Sequence, residues 1–154
     1  MEKLRGFEVA KGWEDKNINL PKRNTQFAAG YDFEAAEDVV VPAFKPGMNP
    51  TLISTGIKAY MMDDEVLYLY NRSSNPKKKG LILANSVGVV DKDYYGNEDN
   101  DGHIMFAFYN CKDEDVEIKK GERIGQGIFS KYLVTDDDEA AGERTGGFGS
   151  TGSN

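Results

Sequence analysis

Apolar residues fall in short runs separated by turn formers along most of the chain. The clearest are Val39-Val40-Val41, Leu52-Ile53, Val66 to Tyr70, Leu81-Ile82-Leu83, Val87 to Val90, Ile104 to Tyr109 and Ile124 to Leu133. They are rich in Val, Ile, Tyr and Phe and bounded by Gly, Pro, Asn or Asp, the composition of strands closed by tight turns. Ile104-Met105-Phe106-Ala107-Phe108 is almost continuously apolar, which predicts a strand buried on both faces. Sustained i, i+3, i+4 spacing is hard to find; only Asp136 to Gly142 has room for a helical turn or two. Many short strands at turn-punctuated intervals predict an all-β fold: a sandwich, barrel or jelly roll. No internal repeat is visible. The acidic run Asp136-Asp137-Asp138-Glu139 separates this body from a glycine-rich end. The chain thus divides into a β-rich core (1–135), an acidic linker (136–143) and a terminal arm (144–154).

A length of 154 residues suits one domain with an ordinary core. The formal net charge of −7 argues against a surface that wraps nucleic acid by neutralising phosphates, and leaves room only for a local basic pocket. Cys111 is the one cysteine and His103 the one histidine, so neither a disulfide framework nor a multi-ligand zinc site can form. A lone histidine is more often a surface or turn residue than a catalytic one, and a lone cysteine points to a reducing compartment. No apolar run approaches the ~20 residues of a spanning helix. Met1-Glu2-Lys3-Leu4-Arg5 opens without the apolar stretch of a secretory signal. The expectation is a cytoplasmic protein that engages neither membrane nor nucleic acid. The glycosylation match at Asn71-Arg72-Ser73 then has no use.

The arm carries the densest candidate chemistry. Arg144-Thr145-Gly146-Gly147-Phe148-Gly149-Ser150-Thr151-Gly152 joins a guanidinium, an aromatic ring and hydroxyls to glycines whose N–H groups suit a phosphate. A flexible Gly/Ser end is the plain alternative. Gly147 to Gly152 also fits G-x-G-x-x-G, but that fingerprint needs a strand before it and a helix after it, and neither is expected here. Inside the core, Asn71-Arg72-Ser73-Ser74 places an arginine and two hydroxyls in a turn, a plausible oxyanion cradle; Lys77-Lys78-Lys79 beyond it suit a solvated turn. Asn85 to Gly96 reads as a hairpin whose second arm carries Asp91, Asp93, Tyr94 and Tyr95. An aspartate there either braces the turn or serves as general base on water. Gly121-Glu122-Arg123-Ile124-Gly125-Gln126 reads as a turn entering a strand, with Glu122-Arg123 a surface charge pair of little energetic value.

Taken in order, these segments closely resemble the motifs of the trimeric dUTP pyrophosphatases (dUTPases), in particular those of Gram-positive bacteria and their phages. Ala29-Gly30-Tyr31-Asp32-Phe33 resembles the first motif, Arg72-Ser73-Ser74 the second, and Gly88-Val89-Val90-Asp91-Lys92-Asp93-Tyr94 the third. Gly121 to Gln126 resembles the fourth and Gly146 to Gly152 the fifth. The resemblance implies a jelly roll, a homotrimer with active sites shared between subunits, and conversion of dUTP and water to dUMP and pyrophosphate. It implies Asp91 as the base that deprotonates the attacking water, and Mg²⁺ held by the triphosphate and by waters, with no direct protein ligand.

By the same resemblance Ser73 and Ser74 donate to phosphate oxygens, and Arg72 and Gln126 organise the phosphate end. Asn85 and the backbone at Gly88 and Val90 meet the uracil edge. Tyr94 packs beneath the deoxyribose and Phe148 stacks on the base. Arg144, Gly149, Ser150 and Thr151 grip phosphate when the arm closes over a neighbouring subunit's site, and Asp32 gives support. Two departures stand out. Arg144 lies one residue closer to Phe148 than in the usual Arg-Gly-x-Gly-Gly-Phe, and the polar stretch Asn97 to Gly102 is longer than a tight return, either an inert loop or a surface for a regulatory protein partner. The alternatives are a dCTP deaminase-related enzyme and a nucleotide-switched regulatory binding protein.

Overall fold

The apolar runs form strands that sort into two facing sheets in the computed structural model, which describes residues 2–147. In chain order the elements are β1 (Gly6–Val9), β2 (Tyr31–Glu34), β3 (Val39–Val41), β4 (Thr51–Tyr60), β5 (Glu65–Asn71), α1 (Asn75–Lys79), β6 (Leu81–Leu83), β7 (Gly88–Asp91), β8 (Ile104–Asn110), β9 (Val116–Ile118) and β10 (Arg123–Lys131). One four-stranded sheet runs β1-β4-β8-β6, the other β2-β10-β5-β7, and β3 pairs with β9 alongside. All these ladders are antiparallel. This is the expected all-β, jelly-roll-like sandwich. No helix among the described residues is long and apolar enough to cross a membrane.

Alternation within each strand builds the core. Phe33, Leu67 and Leu69 from one sheet meet Ile53, Phe106 and Phe108 from the other, all buried. The Phe33 and Phe106 rings pack 5.4 Å apart. Gly125 of β10 lies so close to Phe106 that any Cβ would collide with the ring, which explains a glycine in mid-strand.

Several expectations about strands and turns are corrected. β8 alternates buried and half-buried residues and is not buried on both faces; Met105 and Ala107 on its second face line a cleft instead. Asn85 to Gly96 is not a hairpin: it holds one strand, β7, which pairs with β5, while β6 before it pairs with β8, so the connection from β6 to β7 crosses from one sheet to the other. Asp91 ends β7, and Lys92–Tyr94 form a single 3-10 turn. The lysine segment is a short helix, started by a proline and closed by Gly80 in the left-handed region at φ 68°. Asp136 to Gly142 is not helical and holds one turn, in which Asp138 N–H donates to the Thr135 carbonyl at 3.3 Å.

His103 has a structural role and is neither at the surface nor free for catalysis. The β4 register shifts between Ser54 and Ile57, and Gly56 takes φ 72° there. The Gly56 N–H donates to His103 Nε2 at 2.9 Å, while the Thr55 hydroxyl donates to the Ile104 carbonyl at 2.6 Å. Trp13 covers the imidazole with ring centroids 5.1 Å apart. Burial pulls the His103 pKa down to about 4, and only a neutral ring can accept the Gly56 N–H. The unfolded chain takes up this proton near pH 6.5 and the folded chain refuses it. The stabilising contribution is therefore complete above about pH 6.5 and is lost as pH falls toward 4, at a cost of about 3 kcal/mol. Melting curves between pH 7.5 and 4.5 should fall more steeply for the wild type than for His103→Gln; parallel curves would contradict this assignment.

Candidate active site

Because β6 and β7 part into different sheets, the sandwich stays open between them. A cleft of about 220 Å³ occupies the opening, with Leu69, Leu83, Met105 and Ala107 as apolar wall and Asn85, Asp91 and Tyr94 as polar rim. β7 is the edge strand of its sheet, so one side of its backbone is free to pair with a ligand. Gly88 keeps that wall bare: a Cβ there would stand 2.9 Å from Leu69 Cβ. The Val90 side chain is buried in the core, leaving its backbone as the accessible part. Met105 and Ala107 were missed by sequence reasoning; their only signal was their place on alternate positions of the apolar β8 run.

Two carboxylates stand at the cleft mouth. Arg144 bridges them, Nη2 to Asp91 Oδ2 and Nε to Asp93 Oδ1, each at 2.7 Å. Its side chain is only 14% exposed, whereas the two carboxylates are 52% and 57% exposed. The guanidinium carbon also lies 6.0 Å from the Tyr94 ring centroid. Arg144 therefore sits with the acids of the third motif in the single chain. Tyr94 is buried; its hydroxyl donates to the His103 carbonyl and accepts from Asn100 Nδ2 at 2.8 Å. Burial raises the phenol's pKa, against the Asn100 hydrogen bond that lowers it. Loop 97–102 turns Asn97 and Asn100 inward while Glu98 and Asp99 face solvent. Phe148, Gly149, Ser150 and Thr151 lie outside the described residues.

A second group of candidates lies at the other end of β5. Arg72, Ser73 and Ser74 follow its last residue, and Arg72 Nη1 donates to the Arg123 carbonyl at 3.3 Å. Ser74 precedes α1 without spending its hydroxyl on a cap. Gln126 faces Tyr70 on one side and Asp32 on the other, and its Nε2 donates to the Asn71 carbonyl at 3.3 Å. Asp32 lies 3.6 Å from the Arg123 guanidinium and accepts from Asn24, while Glu122 pairs with Lys79. Glu122-Arg123 thus serves two partners and is not a pair with itself. Asn75, buried beneath the turn, donates to Asn71 Oδ1 at 2.8 Å and to the Ile124 carbonyl at 2.9 Å. It holds the cradle's shape, and nothing in its local sequence marked it.

The register fixes how far apart the two groups are. Asp91 lies opposite Val66, and Arg72 comes six residues further along the same extended segment, which separates them by roughly 20 Å. One chain brings Asp32, Arg72, Ser73, Ser74 and Gln126 together, and separately Asn85, Gly88, Asp91, Tyr94 and Arg144. It does not bring the two sets together.

A family model for dUTPase matches residues 16–152. The chain belongs to the dUTPase family. It is 59% identical over 152 residues, 97% of this chain and 99% of the relative, to the deoxyuridine 5'-triphosphate nucleotidohydrolase of Lactococcus lactis subsp. lactis. The corresponding enzyme of Paramecium bursaria Chlorella virus 1 is 38% identical, covering 89% of this chain and 92% of its own. Among solved structures, Streptococcus mutans dUTPase superposes with a TM-score of 0.79 at 50% identity, over 85% of this chain and 98% of that one. Staphylococcus bacteriophage 80alpha dUTPase shares the fold, with a TM-score of 0.70 at 19% identity over 91% and 97% of the two chains.

Proposed function

We propose that this dUTPase hydrolyses dUTP at sites assembled from more than one subunit of a homotrimer. The reaction yields dUMP and pyrophosphate, and the observation that carries the shared site is the separation of Asp91 from Arg72 along β5. A triphosphate cannot span both groups of one chain while its α-phosphorus stays beside Asp91. A second subunit must bring its phosphate cradle to the first subunit's cleft.

In this reading uracil enters the cleft and pairs with the β7 edge at Gly88 and Val90 and with Asn85. The close wall leaves no room for a 5-methyl group. Tyr94 lies under the deoxyribose. Asp91 takes a proton from water as the water oxygen attacks the α-phosphorus in line. The bond from that phosphorus to its bridging oxygen breaks, and pyrophosphate leaves with the electron pair. Arg72, Ser73, Ser74 and Gln126 of another subunit hold the phosphate oxygens, with Asp32 steadying that group through Arg123. Their contribution is position and charge, without a covalent intermediate.

Asp91 and Asp93 would face the waters of a Mg²⁺ ion accompanying the nucleotide, which would offset the charge of the triphosphate. Magnesium keeps a largely aqueous shell, and the half-exposed carboxylates of Asp91 and Asp93 are accessible to such waters. The arm closes last. In the single chain Arg144 pairs with its own Asp91 and Asp93; in the trimer the arm has a neighbour's site to cover. There Arg144, Gly149, Ser150 and Thr151 bind phosphate and Phe148 covers the base. We place the enzyme in the cytoplasm, in keeping with its exposed, unpaired Cys111.

Pyrophosphate release with Mg²⁺ from dUTP, beside dTTP, UTP and dCTP, tests the assignment. Release from dUTP alone is expected; ammonia release from dCTP at a matching rate would favour the deaminase. Ending the chain at residue 143 should leave a folded trimer whose turnover falls roughly 100-fold, because the arm positions substrate and excludes water. Loss of the trimer in that variant would make the arm a structural brace.

A further inference from the structure

We propose that Asn100 is a positioning residue for sugar selection, holding the Tyr94 ring rigid so that a ribose 2′-hydroxyl is refused. The inference rests on Tyr94 as the platform beneath the deoxyribose. Shape exclusion of one added oxygen demands a wall that cannot retreat, since pockets reject an extra hydroxyl weakly unless they are stiff. Tyr94 sits on a single 3-10 turn at the rim of the cleft, a poor source of stiffness by itself.

The stiffness comes from loop 97–102, which ties down both ends of the residue. Asn97 Nδ2 donates to the Tyr94 carbonyl at 2.7 Å, and Asn100 Nδ2 donates to the Tyr94 hydroxyl at 2.8 Å. The hydroxyl spends its own proton on the His103 carbonyl, so its partner at position 100 must be a donor. Asn100 Oδ1 is engaged as an acceptor, from Asn97 Nδ2 at 2.8 Å and from Gly102 N–H at 3.1 Å. That fixes which end of the amide faces the phenol. Asn97 Oδ1 in turn accepts the N–H groups of Asp99 at 2.9 Å and Asn100 at 3.1 Å. The loop is pinned to the rest of the core at Asp101, whose Oδ2 accepts from Lys58 Nζ at 2.8 Å and Lys11 N–H at 2.9 Å.

The arm meets the same pair. A Cβ placed on Gly147 would lie 3.1 Å from both Tyr94 Cε1 and Asn100 Nδ2. The glycine therefore lets the arm lie flat on the phenol and the amide that holds it.

The test is steady-state kinetics with dUTP and UTP, each with Mg²⁺, for Tyr94→Phe, Asn100→Ala and the double variant. Each single change should lower the ratio of kcat/KM for dUTP over UTP on the order of tenfold, the worth of one hydrogen bond. The double variant should fall no further than Tyr94→Phe, because the bond from Asn100 to the phenol is already absent there. A purely structural loop would depress both substrates equally and leave the ratio intact, which would overturn the proposal; so would additive losses. Tyr94→Phe keeps the test valid if Asn100→Ala fails to fold, since it removes a single oxygen and with it the bonds to Asn100 and to the His103 carbonyl. Tyr94→Ala separates the two levels of the argument. An unchanged ratio there means that Tyr94 is not the sugar platform. A lowered ratio with Asn100→Ala unaffected defeats the role of Asn100 alone.

Discussion

Asp91→Asn should leave a folded enzyme that binds dUTP normally and turns it over roughly two to four orders of magnitude more slowly, the range for loss of a general base. The amide keeps the size of the carboxylate and removes its capacity to take the water proton. Asp91 ends an edge strand with its side chain half exposed, so the change disturbs no core packing. The ion pair lost with Arg144 involves a carboxylate half open to solvent, and such a pair is of small energetic value. Pyrophosphate release measured beside calorimetric nucleotide binding separates the effects: kcat collapses while affinity holds. Near-normal turnover would show that another group activates the water.

Arg72→Ala has the second largest expected effect, a loss of roughly 10² to 10³ in kcat/KM, typical of removing a preorganised charge from a developing oxyanion. The Arg72 hydrogen bond to the Arg123 carbonyl lies at an exposed position, at 3.3 Å, so stability should change little. Arg72→Lys should recover only part of the loss, since an ammonium carries the charge without the planar fork. Unchanged kinetics for Arg72→Ala would remove the turn after β5 from the phosphate site.

The strands were legible because Val-, Ile- and aromatic-rich runs closed by turn residues need no distant information. The motifs were legible as residue types in order. What stayed hidden depends on which sheet a strand joins. Asn85 to Gly96 looks like a hairpin, since local alternation is the same whether neighbouring runs pair with each other or with distant strands; Gly88–Asp91 pairs with β5 instead, and Leu81–Leu83 before it with β8. That division opens the cleft and sends Met105 and Ala107 into it. The inward asparagines 97 and 100 were hidden for a different reason, since a polar loop has the composition of a solvated one until its amides are seen to bond. α1 carried its proline and glycine signals, but its five residues are too few for periodicity to register. The structural role of His103 was hidden because the β4 bulge that needs its nitrogen lies 47 residues away in the chain.

The most direct test of a site divided between subunits is to mix two inactive variants, Asp91→Asn and Arg72→Ala, unfold them together and refold. If each site takes its base from one subunit and its phosphate cradle from another, random assortment makes about one site in four intact. Roughly a quarter of wild-type activity should then return from two parents that have almost none. A mixture as inactive as its parents, in trimers shown to contain both chains, would mean that base and cradle act within one chain, and would contradict the shared site.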